Sequence, residues 1–144
     1  LKKYPGYYLT GDGGLIDKDG YLFVMGRVDD VINVAGHRLS TGQMEEIIAS
    51  HPAVAECAVV GIDDEIRGQV PVGFSVIKDG FSINQNELEK EIIGLIRHKI
   101  GAIACFKRSV IVNRLPKTRS GKILRKNIRQ IASKEEFSIP HNNR

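Results

Sequence analysis

The sequence contains no tryptophan, two cysteines, five prolines and only 6% aromatic residues. No apolar stretch approaches the ~18–20 residues that a membrane-crossing helix needs. The longest candidate, residues 54–62, is interrupted by Glu56 and closes on Gly61-Ile62. A helical membrane protein, a collagen and a disordered tail are thereby excluded. Cys57 and Cys105 lie far apart in apolar surroundings and fit neither a metal spacing nor a redox pair. They read as reduced core thiols of an intracellular protein. No two of the four histidines have the spacing of zinc ligands. No Ser/His/Asp or Cys/His nucleophile set stands out. The chain opens on Leu1 without a basic, apolar, small-residue leader, so it reads as a piece of a longer protein.

What is present suffices for a core. The chain has 144 residues and is 42% hydrophobic before its 15 glycines are counted. That fits one domain, or one domain with a small appendage. The net charge of +4 conceals a strong asymmetry. Residues 1–96 hold 8 Lys/Arg and 15 Asp/Glu (8 − 15 = −7), whereas residues 97–144 hold 13 and 2 (13 − 2 = +11). Between Arg114 and Lys134 there are eight basic residues and no acid. Such a block is either a solvated face or a contact for an anionic partner.

Periodicity supplies the elements. Residues 14–17 and 21–26 are short strand-like runs joined by Lys18-Asp19-Gly20, a hairpin signal. Residues 31–34 form another short strand, and Gly36 lies in a turn. Ser40 with Gln43 and Asn84 with Glu87 are capping boxes. Met44, Ile47 and Ile48 share one face of the first helix, which Pro52 stops. Leu88, Ile92, Leu95 and Ile96 share a face of the second, which Gly101 ends. Residues 54–62 and 70–77 are β-branched strands with a polar loop between them, and residues 110–112 form a third. Ser120 is expected to cap a last helix, with Leu124, Ile128 and Ile131 inward and Arg125, Lys126 and Arg129 outward. The expected class is α+β: a mainly three-stranded sheet flanked by three helices and preceded by a β-hairpin.

Three segments could carry chemistry. In Leu115-Pro-Lys-Thr-Arg-Ser-Gly-Lys122 three cations accompany turn-forming residues. If Lys122 sits in the first turn of a helix, the helix dipole opposes it by about 0.3–1 kcal/mol. An anion bound there would explain the placement; a solvated lysine is the alternative. The segment is not a Walker loop, because Pro116 and Ile123 occupy positions where that motif needs Gly and Ser/Thr. In Tyr8-Leu-Thr-Gly-Asp12-Gly-Gly a carboxylate in a glycine-rich turn suits a ribose diol, or else an Asx-turn. In residues 26–38, Arg27 and Arg38 bracket Asp29, Asp30 and Gly36. Arginine forks suit phosphate; a surface ion-pair cluster is the other reading.

Taken in order, Tyr-x-x-Thr-Gly-Asp12, Gly-Arg27-x-Asp29-Asp30-x-Ile-x-x-x-Gly36-x-Arg38 and Pro-Lys-Thr-x-Ser-Gly-Lys122 resemble the late motifs of the adenylate-forming enzymes. The match covers nearly the whole chain. Asn33 to Leu39 and Leu115 to Lys122 look like the short-chain acyl-CoA synthetases that activate acetate and propionate. Among these, the chain resembles the vertebrate mitochondrial, propionate-preferring branch, which would place the parent in the mitochondrial matrix. Ser40 departs from the acetate-type pattern, which usually has Gly there.

The resemblance implies a two-step reaction in the parent and an inactive isolated fragment. A short-chain carboxylate and ATP, with Mg2+ held mainly by another domain, give acyl-AMP and pyrophosphate. Coenzyme A then gives acyl-CoA and AMP. Lys122 would be catalytic in the first step. Asp12, Arg27 and Arg38 would serve ATP or AMP, and Gly36 and Arg97 would serve coenzyme A. No metal ligand is implied on this chain. Residues 1–28 would be terminal strands of a large N-terminal domain, less ordered alone than residues 30–130. Residues 29–30, with Asp29, would form a hinge, residues 31–134 a mobile C-terminal domain and residues 135–144 a loose tail. The expected partners are small molecules and the N-terminal domain, without nucleic acid or membrane. A small basic nucleic-acid-binding module is the alternative, but residues 114–134 lack the aromatic platforms that stack bases.

Overall fold

The structure, a computed structural model, describes residues 4–133. It opens with a separate antiparallel hairpin, β1 (Asp12–Ile16) and β2 (Leu22–Arg27), which among the described residues pair only with each other. The Asp17 carboxylate accepts from the amides of Asp19 and Tyr21, and Gly20 takes φ +86°, so the Asp-Gly turn forms where the sequence places it.

A 3-10 turn, Val28–Asp30, leads into the main sheet. β3 (Val31–Val34) and β4 (His37–Ser40) form a tight hairpin with Ala35 and Gly36 both at positive φ. β5 (Val54–Asp64) and β6 (Gly68–Ile77) form the long antiparallel centre. β7 (Arg108–Ile111) runs parallel to β6. The expected three-stranded centre, β5, β6 and β7, is thus extended by β3 and β4 into five strands ordered β4-β3-β6-β5, with β7 also on β6.

Three helices flank it: α1 (Thr41–Ala49), α2 (Gln85–Lys99) and α3 (Arg125–Ala132). The alternation of β5 divides the core in two. Val59 packs with Met44, Ile48, Leu88, Ile92 and Ile96 of α1 and α2. Ala58 and Val60 pack with Leu115 and with Ile128 of α3. Asn84 caps α2 through its side chain, which accepts from the Glu87 amide at 2.9 Å; Ser40 caps α1 more loosely, at 3.4 Å from the Gln43 amide.

Three expectations about the last helix are corrected. α3 begins at Arg125, after Leu124, and Ser120 does not cap it. Residues 117–123 are held in another pairing, described below. Ile131 faces outward, half exposed, and Ile128 is the buried anchor. Arg125 is not a free outward cation, since it folds back onto α1. The tail expected at 135–144 lies outside the described residues.

Candidate functional site

Between β7 and α3 the chain makes a second, very small hairpin. Lys117 and Ile123 form an antiparallel bridge. The Thr118 amide donates to the Lys122 carbonyl at 2.8 Å, and the Leu124 amide donates to the Pro116 carbonyl at 2.9 Å. The turn closes when the Gly121 amide donates to the Thr118 carbonyl at 2.9 Å. The Lys122 amide donates to the Thr118 hydroxyl at 3.0 Å, and the Thr118 and Ser120 hydroxyls are also 3.0 Å apart. Gly121 takes φ +87°, a conformation that favours glycine.

Neighbouring residues on an extended arm point to opposite faces. Ile123 faces in, against the Ala58, Val60, Leu115 and Ile128 cluster. Lys122 therefore faces out and is exposed. It lies in the hairpin and not in the first turn of a helix, so the dipole argument for an anion does not apply. What replaces it is geometry: a tight, core-anchored turn that projects an ammonium into solvent. Among the described residues no carboxylate pairs with that ammonium. Arg119, on the turn of the same hairpin, and Lys126 on α3 are likewise exposed and without an ion-pair partner among the described residues; Lys122 differs in standing on the paired arm, next to the core-anchored Ile123.

Other cations of the basic block are held internally. Lys117 Nζ lies 2.6 Å from Glu56 Oε1 on β5, and Arg129 Nη2 lies 3.4 Å from Asp63 Oδ1. Arg125 grips Glu45 of α1 with two bonds, Nε to Oε1 at 3.1 Å and Nη2 to Oε2 at 2.6 Å. Glu45 Oε1 also accepts from the Val59 amide of β5 at 2.9 Å. Arg125 further reaches Asp30 Oδ1 at 4.0 Å. Glu45 and Glu56 were not foreseen from sequence. Their partners are 80 and 61 positions away, and no local pattern marks them.

Asp12 and Arg27 are brought together. They are register partners at the open end of the β1–β2 hairpin, with Arg27 Nη1 at 3.7 Å from Asp12 Oδ1. Arg27 Nη1 also donates to the Thr10 carbonyl at 2.6 Å. The turn is held by the Thr10 hydroxyl, which accepts from the Asp12 amide at 3.2 Å. An Asx-turn therefore does not consume the Asp12 carboxylate, which stays exposed. Asp29 sits in the 3-10 turn between the two sheets, and its side chain is outside what the structure describes. Gly36 and Arg38 share the β3–β4 hairpin, with Arg38 exposed opposite Asn33. Arg97 is exposed in the last turn of α2 and lines a cavity of about 230 Å³ with Lys107 and Phe106. Asp12 with Arg27, Gly36 with Arg38, and Arg97 thus stand on three separate elements, and Asp12–Arg27 is the one ion pair among them in the described residues.

The remaining reactive groups are structural. Burial pushes the Cys57 thiol up to about 11, with the Glu45 carboxylate adding to the effect. That thiol donates to the Glu45 carbonyl at 3.2 Å. Buried His51 bonds Glu91 through Nε2 at 2.6 Å and accepts from the Ala53 amide at Nδ1, tying the end of α1 to α2. Among the described residues no three His, Cys, Asp or Glu side chains converge as a metal site requires. No described helix is long and apolar enough to cross a membrane.

The described residues thus form a small α+β fold with an exposed lysine on a core-anchored hairpin that leads into a basic helix. The AMP-binding enzyme C-terminal domain family matches residues 43–122, more than half of the chain, and the chain belongs to that family. It is 59% identical over 140 residues to an uncharacterized protein of Pseudomonas aeruginosa, covering 97% of this chain and 22% of that protein. It is 48% identical over 139 residues to the human acyl-CoA synthetase short-chain family member 3, mitochondrial, covering 96% and 20%. A crystal structure of Brucella canis acyl-CoA synthetase superposes with a TM-score of 0.70 at 35% identity, covering 91% of this chain and 24% of that one. The chain spans about a fifth of the length of the curated relatives it matches.

Proposed function

We propose that this chain is the mobile C-terminal lobe of an AMP-forming short-chain acyl-CoA synthetase. The observation that carries the proposal is the outward-facing, unpaired Lys122 on its anchored hairpin. The carboxylate oxygen of a short acid attacks the α-phosphorus of ATP, and pyrophosphate leaves. Coenzyme A thiolate then attacks the acyl carbon, and AMP leaves with the bonding pair.

In the first step Lys122 would bridge the acid and the α-phosphate, where negative charge accumulates. Asp12, whose carboxylate is free of backbone bonds, would accept from the ribose hydroxyls. Arg27 beside it and exposed Arg38 would serve the nucleotide and its phosphates. Mg2+ would arrive with ATP and be held mainly by the rest of the protein. Rotation about Asp29 would withdraw Lys122 and bring the Gly36 turn to the pantetheine chain, with Arg97 meeting a phosphate of coenzyme A.

The same reading gives residues 1–28 to the large domain, 29–30 to the hinge and 31–134 to the lobe. Support comes from the first hairpin, where Ile16, Tyr21, Leu22 and Val24 are each more than 60% exposed. A two-stranded ribbon with so much bare apolar surface needs further strands beside it. The parent would work in the mitochondrial matrix where the host has one, as the name of the human relative suggests for that protein. The nucleic-acid reading loses ground on the ion pairs of Lys117, Arg125 and Arg129, which break up the basic stripe.

ATP–pyrophosphate exchange by the full-length protein across a series of short acids tests the function. Exchange that depends on acetate or propionate is expected, with none from the isolated 144 residues. Failure to exchange with every short acid contradicts the proposal.

A further inference from the structure

The Lys122 hairpin has two legs, and each is tied to a different carboxylate. The leg that enters carries Lys117, bound to Glu56 of β5 at 2.6 Å. The leg that leaves runs into Arg125, bound through two bonds to Glu45 of α1. The two ties differ in kind. Lys117 and Glu56 are both more than a third exposed, and an exposed pair between a flexible lysine and a glutamate fixes geometry poorly. Glu45 is 15% exposed, and a planar guanidinium gripping a carboxylate with two bonds sets angle as well as distance. Glu45 is itself immobilised, because its Oε1 also accepts from the Val59 amide in the centre of the sheet.

Arg125 stands three residues after Lys122 and directly follows Leu124, the residue whose amide closes the hairpin onto Pro116. It also approaches Asp30, the first residue after Asp29. A single guanidinium therefore joins the foot of the hairpin, helix α1, strand β5 and the chain segment at which the lobe would turn.

We propose that Glu45 is a positioning residue for Lys122, acting through Arg125 so that the hairpin and its ammonium move with the lobe as one rigid piece. Glu45 touches no substrate. It fixes where the ammonium stands when the lobe arrives, and a misplacement near 1 Å at a reacting centre lowers a rate by about 100-fold. The inference rests on the reading of Lys122 as the cation of acyl-adenylate formation.

The test uses the full-length protein and measures two half-reactions separately: acid-dependent ATP–pyrophosphate exchange, and thioester formation from supplied acyl-adenylate. Glu45→Gln keeps the acceptor for Val59 and removes the charge that grips Arg125. It is expected to lower kcat for exchange by about 10–100-fold, leave KM for ATP near its original value and leave thioester formation within about twofold. Arg125→Lys, which keeps the charge and loses the fork, should give the same split with a smaller loss. Glu56→Gln should change exchange by less than about threefold. Lys122→Ala is the control. If it leaves exchange intact, the assignment of Lys122 fails. If it abolishes exchange while Glu45→Gln and Arg125→Lys do not lower it, the positioning role fails and the assignment stands. Equal loss in both half-reactions, or failure of both variants to fold, marks a purely structural ion pair and overturns the proposal.

Discussion

Gly121 takes φ +87° at the tip of the Lys122 hairpin, and nothing lies within 4 Å of where its Cβ would be. Space is therefore not the constraint there; backbone conformation is. Gly121→Ala should cost about 1 kcal/mol or somewhat more in chemical denaturation, since alanine is strained at that φ. A neutral or stabilising result would mean that the turn relaxes freely. At Cys57 burial acts on chemistry instead. The native thiol, pushed up to about 11, holds its proton past the ordinary value of 9.0. Between those values the unfolded chain has released a proton that the native state still binds. Stability is therefore unaffected by this group below pH 9 and falls as pH rises from 9 towards 11. Alkylation of Cys57 should be slow at pH 8 and accelerate only above pH 10, as peptide mass spectrometry of iodoacetamide-treated protein would show. Rapid labelling at pH 8 would contradict the burial argument.

The helices differ in how firmly they start. Asn84 accepts from the Glu87 amide at 2.9 Å, whereas Ser40 and the Gln43 amide are 3.4 Å apart. Asn84→Ala should thus cost about 1 kcal/mol in thermal unfolding, and Ser40→Ala less. The reverse order would show that the distances do not govern capping here. Both starts were readable in sequence, because a capping box places donor and acceptor three residues apart. The β5 and β6 strands were readable for a similar reason: a buried strand writes itself as a run of β-branched residues. β4 was not, since an edge strand with only Leu39 half-buried leaves no alternation. The sequence points to the wrong start for α3 because Ser120 is a residue type that favours caps. Its hydroxyl in fact meets Thr118 inside a hairpin held by pairing across the chain. α3 begins with no side-chain cap at all, so there was no local signal to find. Of the site, the motif residues were visible from their types and spacing. The carboxylates that hold the hairpin were not, because an ion pair spanning 80 positions exists only after folding.

At the scale of the whole molecule the two sheets should behave differently. Among the described residues the first hairpin pairs only with itself and exposes most of its apolar residues, whereas β5 and β6 are paired along nearly their full length between two cores. In the isolated chain, amide exchange should be fast across residues 4–28 and slow through β5 and β6. Equal protection would argue that the hairpin needs no neighbour. On the proposed reading the lobe is a carrier, in which two cores, a five-stranded sheet and a set of ion pairs hold the Lys122 ammonium in place. The measurement that bears most directly on this account is the Lys122→Ala variant of the full-length protein, assayed step by step. Acyl-adenylate formation should be lost while transfer of a supplied acyl-adenylate to coenzyme A continues. Comparable damage to both steps, or to neither, would contradict it.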